Sequence, residues 1–214
     1  NIDLEEERQE MMAKDPLIWY DLELPKDKVE LGMKKEMNDM KHFDVRDEVL
    51  VEDLTPTQLS SVLTSTWVLR PKEDEVRARF VVRGFDQVIE DKDDTYASTP
   101  SLVTMKLLLT MTVAKNLSVK TSDVSTAFIH APIKQEVLVW PSEVFYSQGG
   151  VVWKLKKALY GLKDSRRTWQ DHLAQTMLHQ GFARMRSDAN FYVHHEHKRY
   201  VMCYVDDLLF VGDD

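Results

Sequence analysis

Three acids carry the chemistry this sequence offers. Asp206 and Asp207 stand side by side in Tyr204-Val205-Asp206-Asp207, between the apolar runs VMCYV and LLFVG. Adjacent carboxylates in so apolar a setting are costly to bury without compensation. At a hairpin tip they would be held rigidly, and a rigid oxygen platform suits Mg²⁺, which takes one or two carboxylates and leaves room for substrate phosphates. By themselves the two acids read more readily as an ordinary turn, since Asp is a common turn residue. Asp123 adds a third carboxylate, at the end of a strand and before the tight sequence Val124-Ser125-Thr126-Ala127-Phe128. There an acid can approach a metal while N–H groups of the turn face an anion, although Asp123 alone reads as a helix cap. Taken together, the three acids suit a pair of ions about 3.5–4 Å apart, aligning attacking and leaving oxygens for in-line displacement.

These acids have to be positioned by regular elements. Met33, Met37 and Met40 recur at helical spacing and predict an amphipathic helix over 28–43. Residues 44–62 read as irregular connection, because Pro56 cannot serve a central strand. Runs at 66–70 and 76–83, joined by a polar tip, predict a hairpin. In its second strand Arg77, Arg79 and Arg83 share one face and Ala78, Phe80 and Val82 the other. That arginine face is either a solvated surface or a grip for phosphate oxygens. Residues 85–100 read as a polar loop. Ser101 can cap a helix running to about Asn116.

Strands are expected at 117–123, 136–140 and 151–155, the last after the turn Gly149-Gly150. A second long helix, capped by Asp164 or Ser165, buries Trp169, Leu173 and Met177 and stops at Gly181. Strands at 191–194, 200–205 and 208–211 finish the chain. Helices mixed with short antiparallel strands give an α+β class.

Composition bounds the function. At 214 residues, with 43% apolar and 30% charged residues, the chain is an ordinary globular one, large enough for one domain or two lobes. Its single cysteine, Cys203, reads as a core residue and points to a reducing compartment. The most apolar window, 102–114, is too short to span a bilayer and is interrupted by Lys106, so no membrane association is expected. The acidic first residues are not a signal peptide, and the missing initiator methionine suggests an excised or internal piece. A net charge of −8 argues against a general nucleic-acid binder. Residues 154–167, however, carry Lys154, Lys156, Lys157, Lys163, Arg166 and Arg167 against Asp164 alone, so a basic groove would be local. His194, His195 and His197 cluster on a turn with no cysteine nearby, which disfavours a structural zinc site.

The motifs also resemble a known family. TSDVSTAFIHAPIKQEVLVWP, VWKLKKALYGLKDSRRTW and YVDDLLFVGDD are similar, in order and spacing, to the three palm motifs of Ty1/copia retrotransposon reverse transcriptases. WVLRPKEDEVRARFVVRGFDQ and DTYASTPSLVTMKLLL resemble the family's fingers strands and the connector into the palm. The resemblance implies a right-hand polymerase, with an antiparallel sheet flanked by helices and the thumb absent. It gives an acidic N-terminal arm over 1–25, fingers over 26–100 and 129–160, and a palm over 101–128 and 161–214.

It further implies RNA-directed DNA synthesis with two Mg²⁺ ions, for which Mn²⁺ can substitute. Asp123 and Asp206 would ligate both ions, Asp207 would assist, and the Val124 carbonyl would be a further ligand. Phe128, beside Ala127, would close the pocket under the sugar and exclude a 2′-hydroxyl; core packing explains it equally. Arg79, with Arg77 as alternate, would grip the incoming triphosphate, and Tyr160 and Gly161 would line the same pocket. Read from the residues alone, a turn glycine between strand and helix explains Gly161 equally. Lys154, Lys156, Lys157 and Lys163 would follow the nucleic-acid backbone.

Expected partners are a primed RNA or DNA template, a dNTP, and the rest of a Pol polyprotein (thumb, ribonuclease H, integrase, protease). The expected location is the cytoplasm, within virus-like particles, with a nuclear phase. Two features depart from the family. Arg166 stands where a proline is usual, and the chain stops seven residues after Asp207. They keep a second expectation open, a remnant that folds and at most binds nucleic acid or protein without catalysing. A metal-dependent phosphohydrolase accounts for the acids but not for the ordered motifs.

Overall fold

The computed structural model describes residues 24–89, 95–142 and 150–213. The expected acidic arm therefore lies almost wholly outside the described residues, as does Gly149. The chain is a mixed α and β structure with antiparallel sheets, divided into two units. The first is built within Asn1–Ile89 and Ile133–Lys163, the second within Glu90–Pro132 and Asp164–Asp214.

The first unit opens with α1 (Lys26–His42). Asp27 in its first turn and Lys41 and His42 in its last turn complement the helix dipole. Met33 and Met40 are buried, and the helix packs on the second strand of the hairpin β2 (Ser65–Lys72) and β3 (Glu75–Val82). The approach is close: a Cβ on Gly32 would stand 2.2 Å from the Val76 carbonyl oxygen, so only glycine fits there. The hairpin pairs Trp67 with Phe80 and Val68 with Arg79. Its alternation is as expected, with Val76, Ala78, Phe80 and Val82 all buried. Trp67 packs edge-on to Phe80 with centroids 5.5 Å apart, and Phe80 lies 5.1 Å from Trp153.

A three-stranded sheet ordered β1 (Arg46–Leu50), β6 (Val151–Leu155), β5 (Leu138–Val139) completes this unit. The irregular connection expected over 44–62 is therefore wrong in part, since β1 and the short helix α2 (Pro56–Ser60) fall within it. Arg-Asp-Glu-Val-Leu lacks the apolar alternation of a half-buried strand because β1 pairs on one edge only and stays largely exposed. Pro56 occupies the first turn of α2, where its missing N–H costs nothing, behind a Thr55–Gln58 capping box.

In the second unit, α3 (Leu102–Ala114) is capped by the Ser101 hydroxyl, which accepts from the Val103 N–H at 3.2 Å. Its inner face buries Leu108 against Met202 and Val211, while Leu102, Val103, Leu107 and Val113 remain exposed. The sheet runs β4 (Ser118–Asp123), β10 (Asp207–Gly212), β9 (Arg199–Tyr204), β8 (Phe191–His194), β7 (Ala183–Arg184), antiparallel throughout. At two residues, β7 is too short for sequence periodicity to reveal.

Helix α4 (Ser165–His179) buries Trp169, Leu173 and Met177, as expected. Asp164 precedes it but makes no side-chain cap, and Gly181 ends it with φ +82. Arg166 is exposed in the first turn. A buried polar network secures the loop before α3. Gln170 Nε2 donates to Asn190 Oδ1 at 2.7 Å and to Ser98 Oγ at 2.8 Å, and Ser101 N–H donates to Asp188 Oδ2 at 2.8 Å. Cys203 is buried, and burial pushes its thiol up to about 12. Among the described residues, no helix is long and apolar enough to cross a membrane.

Candidate active site

The acids expected to work together are brought onto neighbouring turns by strand register. β10 pairs with β4 so that Asp207 lies directly across from Asp123. Directly opposed residues of an antiparallel pair share a face with Cβ atoms about 4.5–5.5 Å apart, and like charges there repel. Tyr204 pairs with Asp207 across the β9–β10 hairpin, leaving Val205 and Asp206 as its two-residue loop.

The loop is tied at two points. The Val124 N–H donates to the Asp206 carbonyl at 2.8 Å, joining the turn after β4 to the turn after β9. The Trp169 indole Nε1–H donates to the Val205 carbonyl at 2.6 Å. Val205 itself adopts φ +58, a left-handed conformation that is rare for a β-branched residue. Two-residue hairpin loops normally put glycine or Asn in such positions.

Asp123 and Asp207 are exposed and Asp206 is half-buried. Among the described residues no cation pairs with any of these carboxyls. Nor do three acid, imidazole or thiol side chains stand close enough together to share one ion. The arrangement is thus two carboxylates opposed across strands with a third at the apex, rather than a closed cage. That donor set fits a divalent ion which keeps water and substrate phosphate in its shell. Phe128 lies in a 3-10 turn at Ala127–His130, with Ala127 and Phe128 at 3% and 9% exposure. Little of Phe128 is left exposed to meet a ligand.

Arg79, Tyr160 and Gly161 meet in the other unit. The Arg79 guanidinium lies over the Tyr160 ring, 4.5 Å from its centroid. The Val82 N–H donates to the Tyr160 carbonyl at 2.8 Å, fastening the end of β3 to the Tyr160-Gly161 turn. Gly161 has φ +93, and a Cβ there would stand 1.9 Å from the Val82 carbonyl oxygen. Packing alone thus demands glycine at this position.

The lysines expected along a nucleic-acid backbone already have partners. Lys154 bonds Glu136 at 2.6 Å. Lys156 bridges Asp44 and Asp47 at 2.5 and 2.8 Å, and those bonds hold its ammonium above the usual lysine range. Lys163 donates to the Phe85 and Gln87 carbonyls at 2.9 and 2.8 Å. The Lys157 backbone N–H bonds the Val45 carbonyl at 3.3 Å. Of the clustered histidines, His194 accepts from the His197 N–H at 3.3 Å and lies edge-on to Phe182.

Sequence reasoning passed over two residues. Trp169 reads as core, and nothing in the sequence reveals what its N–H meets. Glu36 carried a usable signal, because it sits on the buried stripe of α1, three residues after Met33 and four before Met40. It accepts from the Phe80 N–H at 3.2 Å, on the strand that carries Arg77 and Arg79. Burial raises its carboxyl to about 7, against the lowering effect of the Phe80 N–H. Asp39 raises it further, while Arg79 and Arg77 lower it.

Comparison with known proteins converges on one family. Residues 51–214 match the family described as reverse transcriptase (RNA-dependent DNA polymerase). The chain is 32% identical over 168 residues to the retrovirus-related Pol polyprotein from transposon TNT 1-94 of Nicotiana tabacum, covering 71% of this chain and 12% of that protein. It is 28% identical over 175 residues to the Pol polyprotein from transposon RE1 of Arabidopsis thaliana, covering 76% and 12%. Identity to the truncated transposon Ty1-A Gag-Pol polyprotein of Saccharomyces cerevisiae is 26% over 206 residues, covering 94% and 17%. The chain thus spans only about an eighth of the length of the first two relatives. With 164 of its residues inside the family match and the relatives named above Pol polyproteins of transposons, this chain belongs to the reverse transcriptase (RNA-dependent DNA polymerase) family, as a copia-type domain.

Proposed function

We propose that this chain catalyses template-directed transfer of a deoxynucleotide to a primer 3′-hydroxyl, with the second unit acting as palm and the first as fingers. The register that opposes Asp207 to Asp123, with Asp206 at the adjoining apex, carries this reading. Like charges opposed across a strand pair are destabilising, and the conflict is relieved when cation charge is shared between them. Asp123, Asp206 and Asp207, with the Val124 carbonyl, would hold two Mg²⁺ ions, or Mn²⁺ in their place. Such ions supply positive charge for the α-phosphate and align the attacking and leaving oxygens.

This chain's own part is positioning and charge. The primer 3′-hydroxyl gives up its proton to water, its oxygen forms the new bond to the α-phosphorus, the α–β bridging P–O bond breaks, and pyrophosphate leaves with that electron pair. Arg79, with Arg77 as alternate, would hold the triphosphate. Its stacking on Tyr160 limits the rotamer freedom that binding would otherwise cost. Phe128 would discriminate the sugar through the little of it that stays exposed. Lys154, Lys156 and Lys163 would reach a nucleic-acid backbone only by exchanging their present partners. A primed RNA or DNA template, a dNTP and the remaining segments of a Pol polyprotein are the proposed partners, in a cytoplasmic particle with a nuclear phase.

The test is dTTP incorporation on poly(rA)/oligo(dT) with Mg²⁺ or Mn²⁺, run beside Asp206→Asn and beside a longer chain carrying the following Pol segments. Incorporation that vanishes in the variant supports the proposal. Silence from both wild-type lengths would favour a folded remnant that does not catalyse.

A further inference from the structure

We propose that Trp169 is a positioning residue for the acid-bearing turn, its indole N–H holding the Val205 carbonyl so that Val205 stays left-handed and Asp206 stays at the apex. The inference rests on the reading above for its functional meaning but not for its geometry.

The turn has a reason to relax. Left-handed backbone costs an L-residue roughly 1–2 kcal/mol, and the cost is most severe with a branched Cβ. Val205 bears that cost at φ +58, with no glycine to lessen it. Strain of this kind persists only where surrounding structure over-determines it. Two bonds do so here, from outside the hairpin itself. The Val124 N–H holds the Asp206 carbonyl and the Trp169 Nε1–H holds the Val205 carbonyl, so successive carbonyls of the loop are fixed from different elements.

Trp169 suits the task. Trp169 is 4% exposed within a 15-residue helix, and its ring has His130 and His172 as neighbours, with centroids 6.3 and 6.0 Å away. A ring so packed cannot swing to another acceptor, and an indole has only one donor. The bond therefore transmits the rigidity of α4 to the loop. Metal-binding and catalytic groups must be held within about 0.5 Å of their productive geometry, which a strained, otherwise exposed two-residue loop does not achieve alone.

The experiment removes the N–H and then removes the need for it. Trp169→Phe keeps an aromatic ring without the donor, and 3-benzothienylalanine installed at position 169 keeps the indole's shape without the N–H. Mn²⁺ affinity of the full chain is measured by calorimetry, together with the amide resonances of Val205, Asp206 and Asp207. Expected is a loss of Mn²⁺ affinity of about threefold to tenfold, the value of one lost hydrogen bond, with shifted turn amides and a cooperative unfolding transition retained. Adding Val205→Gly should restore affinity in both backgrounds, because glycine adopts positive φ without a tether. A purely structural Trp169 would show no such rescue.

Unmoved turn amides in both Trp169 replacements would overturn the inference, as would failure of Val205→Gly to restore affinity. If Asp206→Asn binds Mn²⁺ as tightly as wild type, the metal assignment fails separately. The tether is then decided by the amide resonances and their return in the Val205→Gly double variant.

Discussion

Replacing Glu36 by Gln should make the protein more stable at pH 8 than the wild type, although it removes a hydrogen-bonded carboxylate. Burial raises the Glu36 carboxyl from 4.5 to about 7, outweighing the Phe80 N–H that favours the charged form. The folded state therefore keeps a proton through a window, about pH 4.5 to 7, in which the unfolded chain has already released it. Stability contributed by this group is fully present below that window and is lost as pH rises through it. A displacement of roughly 2.5 units at about 1.4 kcal/mol each sets an upper bound near 3.5 kcal/mol, trimmed by water that reaches the half-buried carboxyl.

Gln does not titrate and keeps an oxygen for the Phe80 N–H. Its amide nitrogen adds a donor needing a partner, which costs about 1 kcal/mol at every pH. The decisive quantity is the difference between the two proteins as a function of pH, in which that constant cost cancels. Urea unfolding of wild type and Glu36→Gln at pH 4.5 and pH 8 measures it. Glu36→Gln should gain about 2–3 kcal/mol relative to wild type between these values. Arg79→Ala should steepen the wild-type trend, since Arg79 lowers the Glu36 carboxyl, and Arg77→Ala should do so less. A difference that is flat with pH would refute the claim that Glu36 is protonated in its seat beneath the arginine strand.

Other expectations are more local. Gly161→Ala should destabilise by more than about 2 kcal/mol, from the left-handed backbone and the displaced Val82 carbonyl together, and a urea midpoint within error of wild type would contradict the packing described. Asp206→Asn should abolish Mg²⁺-dependent incorporation without lowering the unfolding midpoint, and retained synthesis would remove Asp206 from the site. Phe128→Ala should cost about 3 kcal/mol, because the ring is largely buried, and should admit ribonucleotides. A folded variant with unchanged sugar selectivity would leave Phe128 a packing residue alone. Gln170→Ala should destabilise by about 1–3 kcal/mol through the buried Asn190 Oδ1 it leaves without a donor, Ser98 being still held by Asn190 Nδ2, read from the same urea midpoints.

Elements with strong period were legible in the sequence, and those defined by long-range pairing were not. The β3 alternation places Val76, Ala78, Phe80 and Val82 inside, and the stripe Trp169, Leu173, Met177 marks the buried face of α4, because hydrophobic burial imposes those spacings. Strand β1 stayed hidden since a charged, single-edge strand has no apolar face to impose alternation, and β7 is too short for any period. The acids were legible as types in sequence. That Asp207 rather than Asp206 faces Asp123 depends on a register set across β4 and β10, about eighty residues apart in the chain. The arginine face was legible, but its attachments were not. Tyr160 beneath Arg79 and Glu36 behind Phe80 come from segments remote in sequence.

Local rules are broken in this chain at a few places, and those places are not scattered. A branched residue occupies a left-handed hairpin position, two carboxylates face each other across a strand pair, and an acid sits on the apolar stripe of a helix. Each makes the folded state less stable than a nearby sequence would: Val205→Gly, Asp207→Asn and Glu36→Gln all relieve a conflict. Two of the three conflicts fall on one pair of turns, and the third lies against the strand bearing the arginines. Conflicts that had merely accumulated would show no preference for the groups able to bind metal and phosphate. Their placement fits strain retained because the acids and arginines have to be held in particular positions. Two of the relieving substitutions therefore separate the two accounts. Under functional strain, Asp207→Asn should gain stability while losing Mn²⁺ affinity and Glu36→Gln while losing nucleotide binding, whereas Val205→Gly should gain stability and keep its affinity, since glycine adopts positive φ without a tether. Under accumulated defects, each should gain stability with binding unchanged.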